Sequence, residues 1–201
     1  MPRFLFMNKI SLSSSPGKIL SIDFYGPNSG LKLFYSSIED LELRSQIKEK
    51  IYTIGDVQKH QTNIKAAMTN WDSQSDPIFA RLVKEVTNII VSISDEYYFR
   101  PDILWEARSC WGSIYRIGEY AQLHDHYPAT WSAVYYAEQP NGGSCLNFPG
   151  PQLSVLPVTG SLIVFPGNIE HEVPPSVIPD DRIVVAINFY VKKISSNDSR
   201  D

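Results

Sequence analysis

The chain has 201 residues, 43% of them hydrophobic, and its 22 acidic and 18 basic side chains leave a net charge of −4. That length fits one domain with a real core, and the mild negative charge gives no electrostatic case for nucleic acid or an anionic membrane. No apolar run is long enough to span a bilayer, Met1-Pro-Arg-Phe-Leu-Phe-Met7 offers no cleavage site for a secretory signal, and the distant pair Cys110 and Cys145 reads as reduced thiols in a cytoplasmic setting.

The first half, to about residue 100, mixes a short β region with helices. Lys18–Tyr25 and Leu31–Tyr35 read as strands divided by the turn composition of Gly26-Pro-Asn-Ser-Gly30. A helix is expected from Ser36 to Ile51, with Ser37, Glu39 and Asp40 at its start and Leu41, Leu43, Ile47 and Ile51 as apolar positions. A second helix opens at Asp76-Pro77, since proline suits the first turn. Phe79, Leu82, Val83, Val86, Ile89, Ile90 and Ile93 then recur at helical spacing, as in a scaffold helix packed on a sheet. Between the two helices lies His60, in a polar stretch of helical character.

The second half is rich in strands. Alternating, β-branched and aromatic runs occupy Ile103–Ile117, Trp131–Glu138, Ser144–Phe148, Gln152–Val158, Ser161–Phe165 and Arg182–Val191. Turn signals separate them at Gln139–Gly143, Pro149–Pro151, Thr159-Gly160 and Pro166-Gly167. Many short strands so punctuated indicate a mainly β fold of the sandwich or jelly-roll type, with the helices flanking it. The expected organisation is a single domain over 1–201. Residues 1–100 supply strands and supporting helices, 101–192 the β core, and 193–201 a polar, frayed tail.

Three of the four histidines form the chemical signal: His124-Asp125-His126 and the distant His171. Histidines at i and i+2 of a strand share a face. His171 follows a buried strand and a tight turn, a rigid place from which to deliver a side chain. Three imidazoles so placed suit one face of a metal ion, with the opposite positions open for substrate and O₂, as in non-haem iron sites. Tight cysteine pairs, usual in structural zinc sites, are absent. Eleven residues beyond His171, Arg182 opens a strand on which Arg182, Val184, Ala186 and Asn188 share one face, while Ile183, Val185, Ile187 and Phe189 form a core face. The planar guanidinium suits a carboxylate held through two hydrogen bonds. Internal ion pairing with Glu170, Glu172, Asp180 or Asp181 is the alternative.

Five segments taken in order carry a resemblance. They are Cys110–Tyr115, Gly118–His126, Trp131–Tyr136, Gly160–Pro166 with His171, and Arg182–Phe189; Thr69-Asn-Trp71 adds to them. Together they resemble the Fe(II)- and 2-oxoglutarate-dependent oxygenases, in particular the prolyl-hydroxylase-like branch and its small members from bacteria and phages. The resemblance implies a cupin-like double-stranded β-helix. It also implies a dioxygenase, most simply a hydroxylase, that couples decarboxylation of 2-oxoglutarate to oxidation of a peptidyl residue or a small molecule by O₂. His124 and His171 fall at the family's iron histidines. Arg182 falls at the arginine that holds the distal carboxylate of 2-oxoglutarate, Tyr136 at a tyrosine that joins that grip, and Asn188 further along the same face, near the iron or substrate. Where most of the family has aspartate or glutamate, this chain has His126. Asp125 points away from that face of an ideal strand, so three histidines are expected as ligands.

Two other readings stay open. Gly118 to His126 also fits a cupin pattern, although the usual glutamate ligand is missing at Thr130 or Trp131 and Asn168 stands where glycine is usual. A three-histidine iron dioxygenase without 2-oxoglutarate would fit what remains. The second is a non-enzymatic jelly-roll binding module, with Tyr127 and Trp131 as exposed aromatics for stacking.

Overall fold

The computed structural model describes residues 7–12, 17–27, 29–54, 62–98 and 103–192. His60, the extreme N-terminus and the polar tail lie outside these residues. In chain order the elements are β1 (Asn8–Ser11), β2 (Leu20–Asp23), β3 (Lys32–Ser37), α1 (Leu41–Ile54), β4 (Ile64–Lys65), β5 (Ala67–Met68), a 3-10 turn (Ser73–Ser75) and α2 (Pro77–Tyr98). They continue with β6 (Leu104–Tyr115), β7 (Tyr120–His124), β8 (Trp131–Glu138), β9 (Leu146–Phe148), β10 (Leu153–Leu156), β11 (Ser161–Pro166), β12 (His171–Val173) and β13 (Arg182–Lys192).

The strands form two sheets. The larger runs β2-β3-β11-β8-β13-β6-β5 and the smaller β1-β10-β9-β12-β7-β4. Period-two alternation gives the larger sheet two apolar faces. Outward, Cys110, Ile114, Ala133, Tyr135, Leu162, Val164, Ile183, Val185, Ile187 and Phe189 pack with Leu43, Ile47 and Ile51 of α1 and with Phe79, Leu82, Val86, Ile90 and Ile93 of α2. Inward, Trp111, Tyr115, Val134, Tyr136, Ile163, Phe165, Val184 and Ala186 meet Leu146, Phe148, Val155 and Val173 of the smaller sheet. A side chain at Gly112 would place its Cβ 2.5 Å from Ile51, so glycine there lets α1 seat directly on β6.

The proline start of α2 agrees with its sequence pattern, and Val83 and Ile89 pack at the margin of its buried stripe. The first helix differs. Ser36 and Ser37 continue β3, and α1 begins at Leu41. Asp40 provides the cap, its Oδ1 accepting from the Leu43 amide at 2.9 Å. Leu41 is 65% exposed and outside the core. Residues 36 and 37 pair with Leu162 and Ser161 of β11, and this non-local ladder outweighs the local helical signal. Trp131 is also buried, against Phe34, Tyr98 and Trp105, whereas Tyr127 is exposed. Cys110 and Cys145 are free thiols. Among the described residues no helix is long and apolar enough to cross a membrane.

Candidate metal and cosubstrate site

Two adjacent strands of the smaller sheet bring two of the histidines together. His124 ends β7, His171 opens β12, and the two are paired in register. Their rings lie 4.3 Å apart between centroids. His126 reaches the same point by another route. The chain leaves the strand after His124, so the expected strand geometry does not extend to His126. Asp125 Oδ1 accepts from the Tyr127 amide at 3.1 Å and makes a tight turn there. The His126 amide then donates to the Gly167 carbonyl at 2.7 Å, and the Gly167 amide donates to the Thr130 carbonyl at 3.0 Å. A Cβ on Gly167 would run into the Ala129 carbonyl group, so only glycine allows this approach. The clamp sets the His126 ring 4.8 Å from His124 and 4.9 Å from His171.

The ligand nitrogens of the three imidazoles lie within 4.8 Å of one another. His124 Nδ1 sits 2.7 Å from the Gln122 carbonyl, and His171 Nδ1 sits 3.0 Å from the Ile169 carbonyl. A carbonyl only accepts, so each Nδ1 carries the proton and each Nε2 keeps a free lone pair. Burial lowers the pKa of all three rings. His171 lies well below its ordinary value, and His126 is pushed down to about 3, with the neighbouring His124 as a second cause. Neutral imidazoles with exposed lone pairs are the form that binds a metal. Asp125 is exposed, stands outside this cluster and is occupied by its turn.

Arg182 enters the same cavity from the larger sheet. The lining of this hollow includes the three histidines, Arg182, Ser113, Tyr115, Trp111, Val134, Val184 and Ala186. Arg182 is 3% exposed. Its Nη2 donates to the Tyr136 hydroxyl at 3.4 Å, and its guanidinium lies 5.2 Å from the ring centroids of both Tyr115 and Tyr136. Its Nε and Nη1 are buried and have no hydrogen-bond partner. Burial raises the pKa of both tyrosines, that of Tyr115 to about 12, so neither phenol neutralises the arginine near neutral pH. Asp181 is engaged by Tyr52 and Arg116 instead, and among the described residues Arg182 makes no ion pair. A buried cation with two unmet N–H groups is costly unless an anion joins it.

Asn188 shares the strand face of Arg182 and is 6% exposed, but it is not among the residues lining this cavity. It pairs across to Ser109 and Ser132, six residues along β13 from the arginine. Three residues of β6 that sequence patterns left unassigned belong to the site: Ser113, whose buried Oγ has no partner, Tyr115, whose ring faces the Arg182 guanidinium, and Trp111, whose ring lies 5.7 Å from that of His126. Their alternation with Cys110, Gly112 and Ile114 was the available signal.

Comparison with solved structures identifies the architecture. A Pseudomonas putida prolyl-4-hydroxylase matches with a TM-score of 0.61 at 17% identity, over 80% of this chain and 93% of the other. The fold is the double-stranded β-helix. The viral collagen prolyl hydroxylase of Paramecium Bursaria Chlorella virus-1, in its 2OG complex, matches at 0.56 and 14% identity over 77% of this chain and 94% of the other. HygX from Streptomyces hygroscopicus, with nickel and 2-oxoglutarate bound, gives 0.56 at 11% identity over 77% and 82%. No family model and no curated protein matches the sequence.

Proposed function

We propose that His124, His126 and His171 hold Fe(II) and that Arg182 holds the distal carboxylate of 2-oxoglutarate. The protein would then be a dioxygenase coupling oxidative decarboxylation of that cosubstrate to oxidation, most simply hydroxylation, of an organic substrate. The observation that carries this reading is the buried guanidinium with two unpaired N–H donors, in the same hollow as three neutral imidazoles.

The donor set fits the metal, since imidazole nitrogen suits iron and three ligands leave positions open. Iron, when bound, supplies the O₂ and redox chemistry that no side chain here provides. The protein's own residues bind and orient. Arg182 Nε and Nη1 would donate to the carboxylate, and the Tyr136 hydroxyl, which accepts from Nη2, retains a proton to donate to it. Val134, Val184 and Ala186 give the hollow dry walls, which strengthens these charge interactions. Lacking a protein carboxylate, the metal site carries one more positive charge than the usual two-histidine, one-carboxylate set, and this favours a dianionic cosubstrate. In support, the chain has the fold of structures that bind 2-oxoglutarate, and neighbours of this fold hold a hypoxia inducible factor peptide fragment in one case and hygromycin B in another.

Anaerobic titration of the protein with Fe(II) and 2-oxoglutarate is expected to give a weak visible charge-transfer band, and O₂ uptake is expected to require the keto acid. Folded protein that develops no band would overturn the proposal. O₂ uptake independent of 2-oxoglutarate would favour the cupin-type reading.

A further inference from the structure

The three imidazoles are not restrained alike. His124 and His171 each have Nδ1 on a main-chain carbonyl two residues back, which fixes both ring rotation and tautomer. The His126 ring has no hydrogen bond among the described residues. Outside the histidine cluster it meets an aromatic ring: that of Trp111 stands 5.7 Å away at 60°, an edge-to-face contact. Trp111 is 2% exposed and lies edge-to-face with Trp71, at 4.6 Å and 64°. Trp71 is 40% exposed and does not line the cavity.

The backbone bearing Trp71 is tied to the strand bearing Trp111. The Cys110 amide donates to the Trp71 carbonyl at 2.8 Å. The Thr69 amide donates to the Gly112 carbonyl at 2.9 Å, and the Gly112 amide donates to Thr69 Oγ1 at 2.9 Å. The segment before α2 is thus laced to β6 on both sides of Trp111.

The geometry points to Trp71 as a positioning residue for the third metal ligand, acting through Trp111 on the His126 ring. Trp71 blocks the space into which the Trp111 indole would otherwise turn, and Trp111 in turn limits rotation of the imidazole. This inference rests on the proposed three-histidine metal site.

Co(II), titrated anaerobically and followed by its visible ligand-field bands, tests both. W71A is expected to bind Co(II) roughly three- to tenfold more weakly, the scale of one aromatic pair, with altered band intensity. W71F, which keeps a ring against Trp111, is expected to stay near the wild type. A double-mutant cycle with H126Q separates positioning from general stability. If Trp71 acts through His126, adding W71A to H126Q changes Co(II) affinity no further. Wild-type affinity and spectrum in W71A, or an undiminished effect of W71A in the H126Q background, would overturn the inference while leaving the metal site standing. A wild-type protein that takes up no Co(II) would overturn the metal site and, with it, the role of Trp71.

Discussion

The two faces of β13 put the same strand to opposite uses. Ile183, Val185, Ile187 and Phe189 point outward and are fully buried under α1 and α2. Arg182, Val184 and Ala186 alternate with them and face the cavity. The outer face is apolar packing whose removal costs stability. The inner face holds an unpaired guanidinium across from three imidazoles that burial keeps neutral. Folding alone would favour hydrocarbon at these positions. An alternation of period two therefore lets one element serve scaffold and site with little interference.

The sharpest contrast comes from one substitution on each side. His171→Ala should weaken Fe(II) or Co(II) by roughly a hundredfold or more, since it removes a ligand and not just its support. Ile187→Ala should instead cost about 2–5 kcal/mol of unfolding free energy in urea, with metal affinity of the folded protein unchanged. Equal loss of metal in both variants would erase the distinction.

Arg182→Ala should cost about 2–5 kcal/mol in 2-oxoglutarate affinity, the range for breaking a buried charge pair. Fe(II) affinity should barely move, and unfolding of the protein without ligands should show no comparable loss. Calorimetric titration with each ligand in turn measures this, and a parallel loss of both would mark the arginine as structural.

Acid should attack the inner face. Because the folded-state pKa values of the histidines are depressed, the unfolded chain takes up protons first as pH falls. The stability of the metal-free protein should be at full value above about 6.5 and decline as pH falls towards the His126 value of about 3. Urea unfolding between pH 7.5 and 5 should show this decline in the wild type. It should flatten when all three histidines are glutamine, and identical slopes would contradict the assignment.

Gly167→Ala should have the smallest of these effects, about 1–3 kcal/mol from forced displacement against Ala129. It should appear as weaker metal binding, because the same turn carries the hydrogen bond to the His126 amide. A stability change with intact Co(II) spectra would show that the clamp does not set the ligand.

Much of this contrast was legible in the chain itself. Strand β8 matches its expected span of Trp131–Glu138, and the two faces of β13 follow directly from alternation. The three histidines and Arg182 line one cavity, and strand ends deliver His124, His171 and Arg182 to it. What escaped depends on partners distant in sequence. β1 and β4 are short pieces that exist by pairing with β10 and β7. The exit of the chain from β7 before His126 is set by a clamp to Gly167, and the start of α1 by the pairing of β3 with β11. For Asn188, alternation gave the correct face but not the distance along it, and six residues carry it past the cavity. The contact of Trp71 with Trp111 joins residues forty apart, with a whole helix between them.

His124 and His171 hang from the smaller sheet and Arg182 from the larger, with His126 on the connection between β7 and β8, so the hollow straddles a seam between the two sheets. A molecule that touches both sides becomes a rivet across that seam. Metal by itself grips the smaller sheet and the connection that carries His126. Metal together with a dicarboxylate fastens one layer to the other, and heat resistance should then rise by more than the two separate gains added together.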